Sequence, residues 1–177
     1  MDLETVMKKY DQESNVRLWE GKPRFAVNCV LALFSLFCLY VTLFASWLEE
    51  LRLTTFVAWI VFIGILVFPA RKSHQRVNHI PWYDWMIMIV GTGAFLYFAF
   101  NAKTIIQQGT KFSDVQIVIG ILGVLALAEV CRRSVGLPIL IVAACFLIYA
   151  FTAGLANPTI WGKVKYIIRY LFYSKEG

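Results

Sequence analysis

Charged residues are scarce in this sequence and absent from five long stretches of it. The 177 residues include 17 Lys and Arg and 11 Asp and Glu, whereas hydrophobic residues make up 59%. The stretches without charge are 25–48, 53–70, 85–102, 115–128 and 134–162. Soluble domains carry about 25% charged residues, so this scarcity excludes a soluble domain of ordinary composition.

Histidine and cysteine, which often bind metals or attack substrates, are few and unsuitably spaced for either role. His74 and His79 both lie in one polar connection, and the four cysteines are scattered, at Cys29, Cys38, Cys131 and Cys145. This spacing matches neither a CxxC metal pair nor a disulfide framework. We interpret the cysteines as buried small apolar residues. With no HExxH, phosphate-loop or GxSxG pattern either, we predict a protein that is not an enzyme and holds no cofactor.

The lengths of the charge-free stretches indicate membrane helices. A helix rises about 1.5 Å per residue and hydrocarbon is about 30 Å thick, so about 20 apolar residues make one crossing. Helices satisfy their backbone hydrogen bonds internally, as lipid demands. We therefore predict an all-α polytopic membrane protein whose transmembrane domain, 25–156, has about five spans, at 25–47, 53–69, 85–102, 115–132 and 137–156. Residues 1–24 would form a cytoplasmic segment, with no cleaved signal peptide.

The formal net charge of +6 is explained by loop charge that orients a membrane protein, so no nucleic-acid partner is expected. Lys and Arg near helix ends favour the cytoplasmic side. Five spans place ten of them on the side of the N-terminus, namely Lys8, Lys9, Arg17, Lys22, Arg24, Arg71, Lys72, Arg76, Arg132 and Arg133. The opposite connections hold only Arg52, Lys103 and Lys111. The N-terminus is therefore predicted to be cytoplasmic, although Lys163, Lys165, Arg169 and Lys175 would then lie outside.

Glu129 is the first candidate for a functional residue, because apolar sequence precedes it and ionisable groups at membrane depth often have functions. Arg132 and Arg133 follow it at helical spacing, in the order that favours pairing. We predict a structural ion pair or a contact with lipid headgroups. A proton relay is the alternative, but it would need a second buried acid or histidine, and the predicted spans contain none.

Two aromatic or amphipathic features are typical of membrane interfaces. Trp82, Tyr83 and Trp85 surround the start of the third span and indicate an aromatic belt, with a substrate-stacking cage as the alternative. In residues 159–173, apolar and polar side chains recur with the period of an α-helix. Their apolar stripe includes Ile160, Val164, Ile167 and Leu171, which predicts an amphipathic interfacial helix that anchors the chain to lipid. A helix packed on a soluble domain is the alternative.

Several short runs in the sequence resemble one family of transporters. They are 10–17 (YDQESNVR), 69–72 (PARK), 80–84 (IPWYD) and 127–136 (LAEVCRRSVG), and the likeness continues at Tyr149 and 170–177. In this order and spacing they are similar to TRAP (tripartite ATP-independent periplasmic) permeases of the TAXI branch, whose small and large membrane subunits are often fused. In the fused relatives the large-subunit sequence begins just after the position of Gly177. The chain is thus expected to be a separate small subunit or one part of a longer product.

The resemblance implies a scaffold function in the bacterial inner membrane. In such systems a periplasmic binding protein delivers small organic acids or amino acids, and a large subunit moves them by an elevator motion. The small subunit braces the large one, and the coupling ion, sodium or proton, is expected to bind the large subunit. No substrate-binding residue is carried over to this chain. The expected partners are the large permease subunit, the binding protein and membrane lipids.

The sequence is also compatible with two other functions. One is an assembly factor that holds another membrane protein transiently. The other is a non-catalytic membrane anchor subunit of a respiratory-type enzyme, for instance a haem or quinone anchor.

Overall fold

The computed structural model describes residues 16–70, 78–108, 113–152 and 159–168, together with Leu171. These residues form six α-helices and no strand. The helices are α1 (Lys22–Leu43), α2 (Glu49–Val67), α3 (Trp82–Gln108), α4 (Asp114–Ser134), α5 (Leu137–Thr152) and α6 (Ile160–Ile168). The first four, α1 to α4, are each long and apolar enough to cross a membrane. The prediction of an all-helical protein with several helices able to span a membrane is therefore confirmed for this part of the chain.

The helix bounds differ from the predicted spans mainly where a polar residue was taken as an end. α3 continues to Gln108, beyond the predicted end at 102, so that Lys103 lies within the helix. The Asn101 side chain donates to the Tyr97 carbonyl at 2.9 Å. α1 begins at Lys22 rather than 25, since Pro23 lies in the first turn, where its missing N–H costs nothing. α6 covers Ile160–Ile168 of the predicted 159–173, of which positions 169, 170, 172 and 173 lie outside the described residues.

The core of the protein consists of α2, α3 and α4. Its buried side chains include Val61 and Ile65 of α2, Met88 of α3 and Val130 of α4. Gly91 of α3 permits a close approach between these helices. A Cβ atom there would lie 2.6 Å from the Ala126 Cβ and 3.0 Å from a methyl group of Val61. Small residues allow such contacts in membranes, where close packing rather than hydrophobicity holds helices together.

α1 packs on α2 through aromatic rings near the ends joined by their short connection. Phe37 lies 5.5 Å from Phe56 and 6.0 Å from Trp59, measured between ring centroids. Only Val27 and Val41 of α1 are buried. α1 is therefore attached to the core along one narrow face, and the rest of its apolar surface is open.

α5 and α6 lie at the edge of the bundle. Side chains on all sides of α5 are exposed, among them Val142, Phe146 and Tyr149. α6 packs against α4 and α5, and Lys165 forms an ion pair with Asp114, the first residue of α4. Since α5 starts directly after the last turn of α4, it must run back along α4 to bring α6 to this position.

Candidate functional site

Five charged residues, which we call the charge cluster, meet at one end of the core. They are Arg17, Asp84, Glu129, Arg132 and Arg133. Asp84, in the first turn of α3, is at the centre and has a fully buried side chain. Its Oδ2 accepts from Arg17 Nη2 at 2.6 Å, and its Oδ1 accepts from Arg133 Nη2 at 2.8 Å.

Glu129 extends the charge cluster toward the surface of α4. Its Oε1 accepts from Arg133 Nε at 2.7 Å and its Oε2 accepts from Arg132 Nε at 2.7 Å. The side chain of Arg132 is 37% exposed, whereas that of Arg133 is 1% exposed. Arg133 therefore turns inward to reach Asp84, whereas Arg132 stays partly exposed.

The charge cluster also binds the carboxyl end of α2. Arg17 Nη2 donates to the Ile65 carbonyl and Arg133 Nη1 to the Phe68 carbonyl, both at 3.4 Å. The backbone N–H of Arg17 donates to the Val67 carbonyl at 2.8 Å. Carbonyls at a helix end lack partners within the helix and carry a negative partial charge, so cations stabilise them. Asp84 lies at the amino end of α3, which carries a positive partial charge and stabilises the carboxylate of Asp84.

Asn78 joins the segment before α1 to the connection before α3. Its backbone N–H donates to the Leu18 carbonyl at 3.2 Å, and its Oδ1 accepts from the Glu20 N–H at 2.9 Å. Its φ is 59°, a left-handed conformation that asparagine adopts more readily than most residues. Arg17 Nη1 adds a bond to the His79 carbonyl at 3.1 Å. Residues 16–20 are thus held against the charge cluster.

The chemistry of the charge cluster is that of a structural ion network. Three guanidinium groups face two carboxylates, and every carboxylate oxygen accepts a charged hydrogen bond. Asp84 is the second buried acid that a proton relay with Glu129 would need. However, Arg133 lies between the two carboxylates, and a guanidinium group does not release its proton in proteins. The arrangement therefore joins helix ends and offers no path of titratable side chains between these two acids.

The other predicted site residues lie apart from the charge cluster. Trp82, Tyr83 and Trp85 are 73%, 37% and 49% exposed around the start of α3, and their function as a belt stays a prediction. In the predicted stripe, Ile160 and Leu171 are exposed while Val164 and Ile167 are half-buried, and Leu171 lies beyond the end of α6. This stripe lies near the Asp114 end of α4, opposite the charge cluster, and its anchoring function also stays a prediction.

The cysteines differ from their interpretation as buried residues. Cys29 and Cys145 are exposed and Cys38 and Cys131 half-buried, all of them as free thiols. On helices that span a membrane, an exposed small apolar residue faces lipid at little cost, so burial in protein is not required. Nowhere in the described residues do three His, Cys, Asp or Glu side chains come together in a way that could hold a metal ion.

Sequence reasoning missed Arg17 and Asp84 as members of the site. A signal for Asp84 was present, because it is the only acid between Glu50 and Asp114 and apolar residues follow it. For Arg17 no local signal existed, since its partner lies 67 residues away.

Comparisons of the chain with models of protein families, with curated proteins and with solved structures find no match.

Proposed function

We propose that this chain is a non-catalytic scaffold subunit of a membrane transporter, similar to the small subunit of TRAP transporters of the TAXI branch. One observation carries the proposal. The runs that resemble those proteins are distant in the sequence, yet their residues meet in the charge cluster. Arg17 ends the first run, Asp84 ends the third, and Glu129 and Arg133 lie in the fourth. The second run, 69–72, begins next to Phe68, whose carbonyl accepts from Arg133.

This convergence supports the resemblance because it explains physically why these four runs would occur together in one protein family. A buried ion network tolerates few single substitutions, since removal of one partner leaves an uncompensated charge. Runs that build such a network are therefore informative even when each is short. A rigid helix end also suits a subunit that stays still while its partner moves.

The exposed apolar surfaces of α1 and α5 support a function in contact with a larger membrane partner. Helices associate in lipid through close packing and sparse polar contacts over a wide area. α5 presents apolar side chains on all sides, so one side can pack on a large subunit while another faces lipid. The transported solute and the coupling ion would bind that large subunit.

We further propose five spans with a cytoplasmic N-terminus in a bacterial inner membrane. The ion pair between Lys165 and Asp114 supports this topology, because it gives a cation of the C-terminal segment a partner on the outer side. Single cysteines at positions 75 and 108, in a background without the four native cysteines, test it. Labelling of Gln75→Cys from the cytoplasm and of Gln108→Cys from the periplasm is expected. Labelling of both from one side would contradict the topology.

The scaffold function is tested by assembly and uptake in proteoliposomes. We expect stable one-to-one copurification with a large permease, which an assembly factor would not give. Serine at Ile160, Val164, Ile167 and Leu171 together should lower uptake by the assembled complex, because the apolar stripe of α6 would no longer enter the interface. The binding protein should keep its affinity for solute.

A matched control separates loss of the apolar stripe from a general effect of four substitutions. Ile160→Val, Val164→Leu, Ile167→Val and Leu171→Ile together keep the stripe apolar and should keep uptake. Wild-type uptake by the serine variant would remove the anchoring function. Changed selectivity among solutes would contradict a scaffold that stays clear of substrate, and a haem absorption spectrum of the purified chain would favour an anchor subunit of a respiratory-type enzyme instead.

A further inference from the structure

We draw no further inference here: the strongest candidate, the apolar groove between α3 and α4 that is lined by Val90 and Leu125 and reaches Glu129, is an unpartnered helix face, and nothing in the structure shows what covers it.

Discussion

The two ends of α4 each form an ion pair with another part of the chain, and the two pairs differ in burial. Arg133 and Asp84 have side chains that are 1% and 0% exposed. Lys165 and Asp114, at the other end, are 38% and 71% exposed. An exposed pair contributes about 0–1 kcal/mol, whereas removal of one partner of a buried pair costs about 3–5 kcal/mol. The same chemistry therefore makes one end of the helix rigid and leaves the other adaptable.

The surroundings explain this difference. At the Arg133 end, α4 packs against α2 and α3, and the last carbonyls of α2 share the guanidinium groups. At the Asp114 end its ion-pair partner comes from α6, a helix of nine residues. A scaffold with one rigid end and one adaptable end would keep its own shape while it follows a partner or the lipid.

Asp84→Asn should produce the largest effect. The variant keeps the shape of the side chain but leaves two buried guanidinium groups without their shared counter-charge, so the free energy of unfolding in mixed micelles should fall by about 3–5 kcal/mol. Adding Arg17→Met should recover part of this loss, because it removes one uncompensated charge. A loss below about 1 kcal/mol for Asp84→Asn would show that the charge cluster is hydrated and that the two ends are alike.

Gly91→Ala tests whether the tight packing at the Arg133 end of α4 continues into the core. The new methyl group would meet the Ala126 side chain at 2.6 Å, and overpacking of this kind costs about 1–3 kcal/mol. Gly93→Ala is the control, because nothing lies within 4 Å of its new methyl group. It should be neutral or stabilise α3 by up to about 1 kcal/mol through helix propensity. Equal thermal stability of the two variants would show that the helices separate easily.

Glu129→Gln should have a smaller effect, on the order of 1 kcal/mol or less, because the carboxylate is partly exposed and Arg133 keeps Asp84 as a partner. Unfolding in detergent measures this loss. Ion-driven uptake by the assembled complex should survive. Normal assembly with abolished uptake would instead assign Glu129 a part in charge transfer.

Asp114→Asn should have the smallest effect, about 0–1 kcal/mol, since both partners of the ion pair are exposed. High salt should reduce even this difference, because salt screens exposed charges. Comparison of its loss in free energy of unfolding with that of Asp84→Asn, under the same conditions, measures the difference between the two ends of α4. Similar losses for both variants would contradict that contrast.

The amino-acid sequence alone was enough for the helical class and for the positions of α1 to α4, because the length of an apolar stretch is a local property. It also predicted that Glu129 lies within reach of Arg132 and Arg133, which follow three and four residues later on one helix. The identity of the central acid depended on the tertiary structure. Asp84 meets Arg17 and Arg133 across 67 and 49 residues of chain, and only the antiparallel packing of α2, α3 and α4 brings these distant charges together away from water.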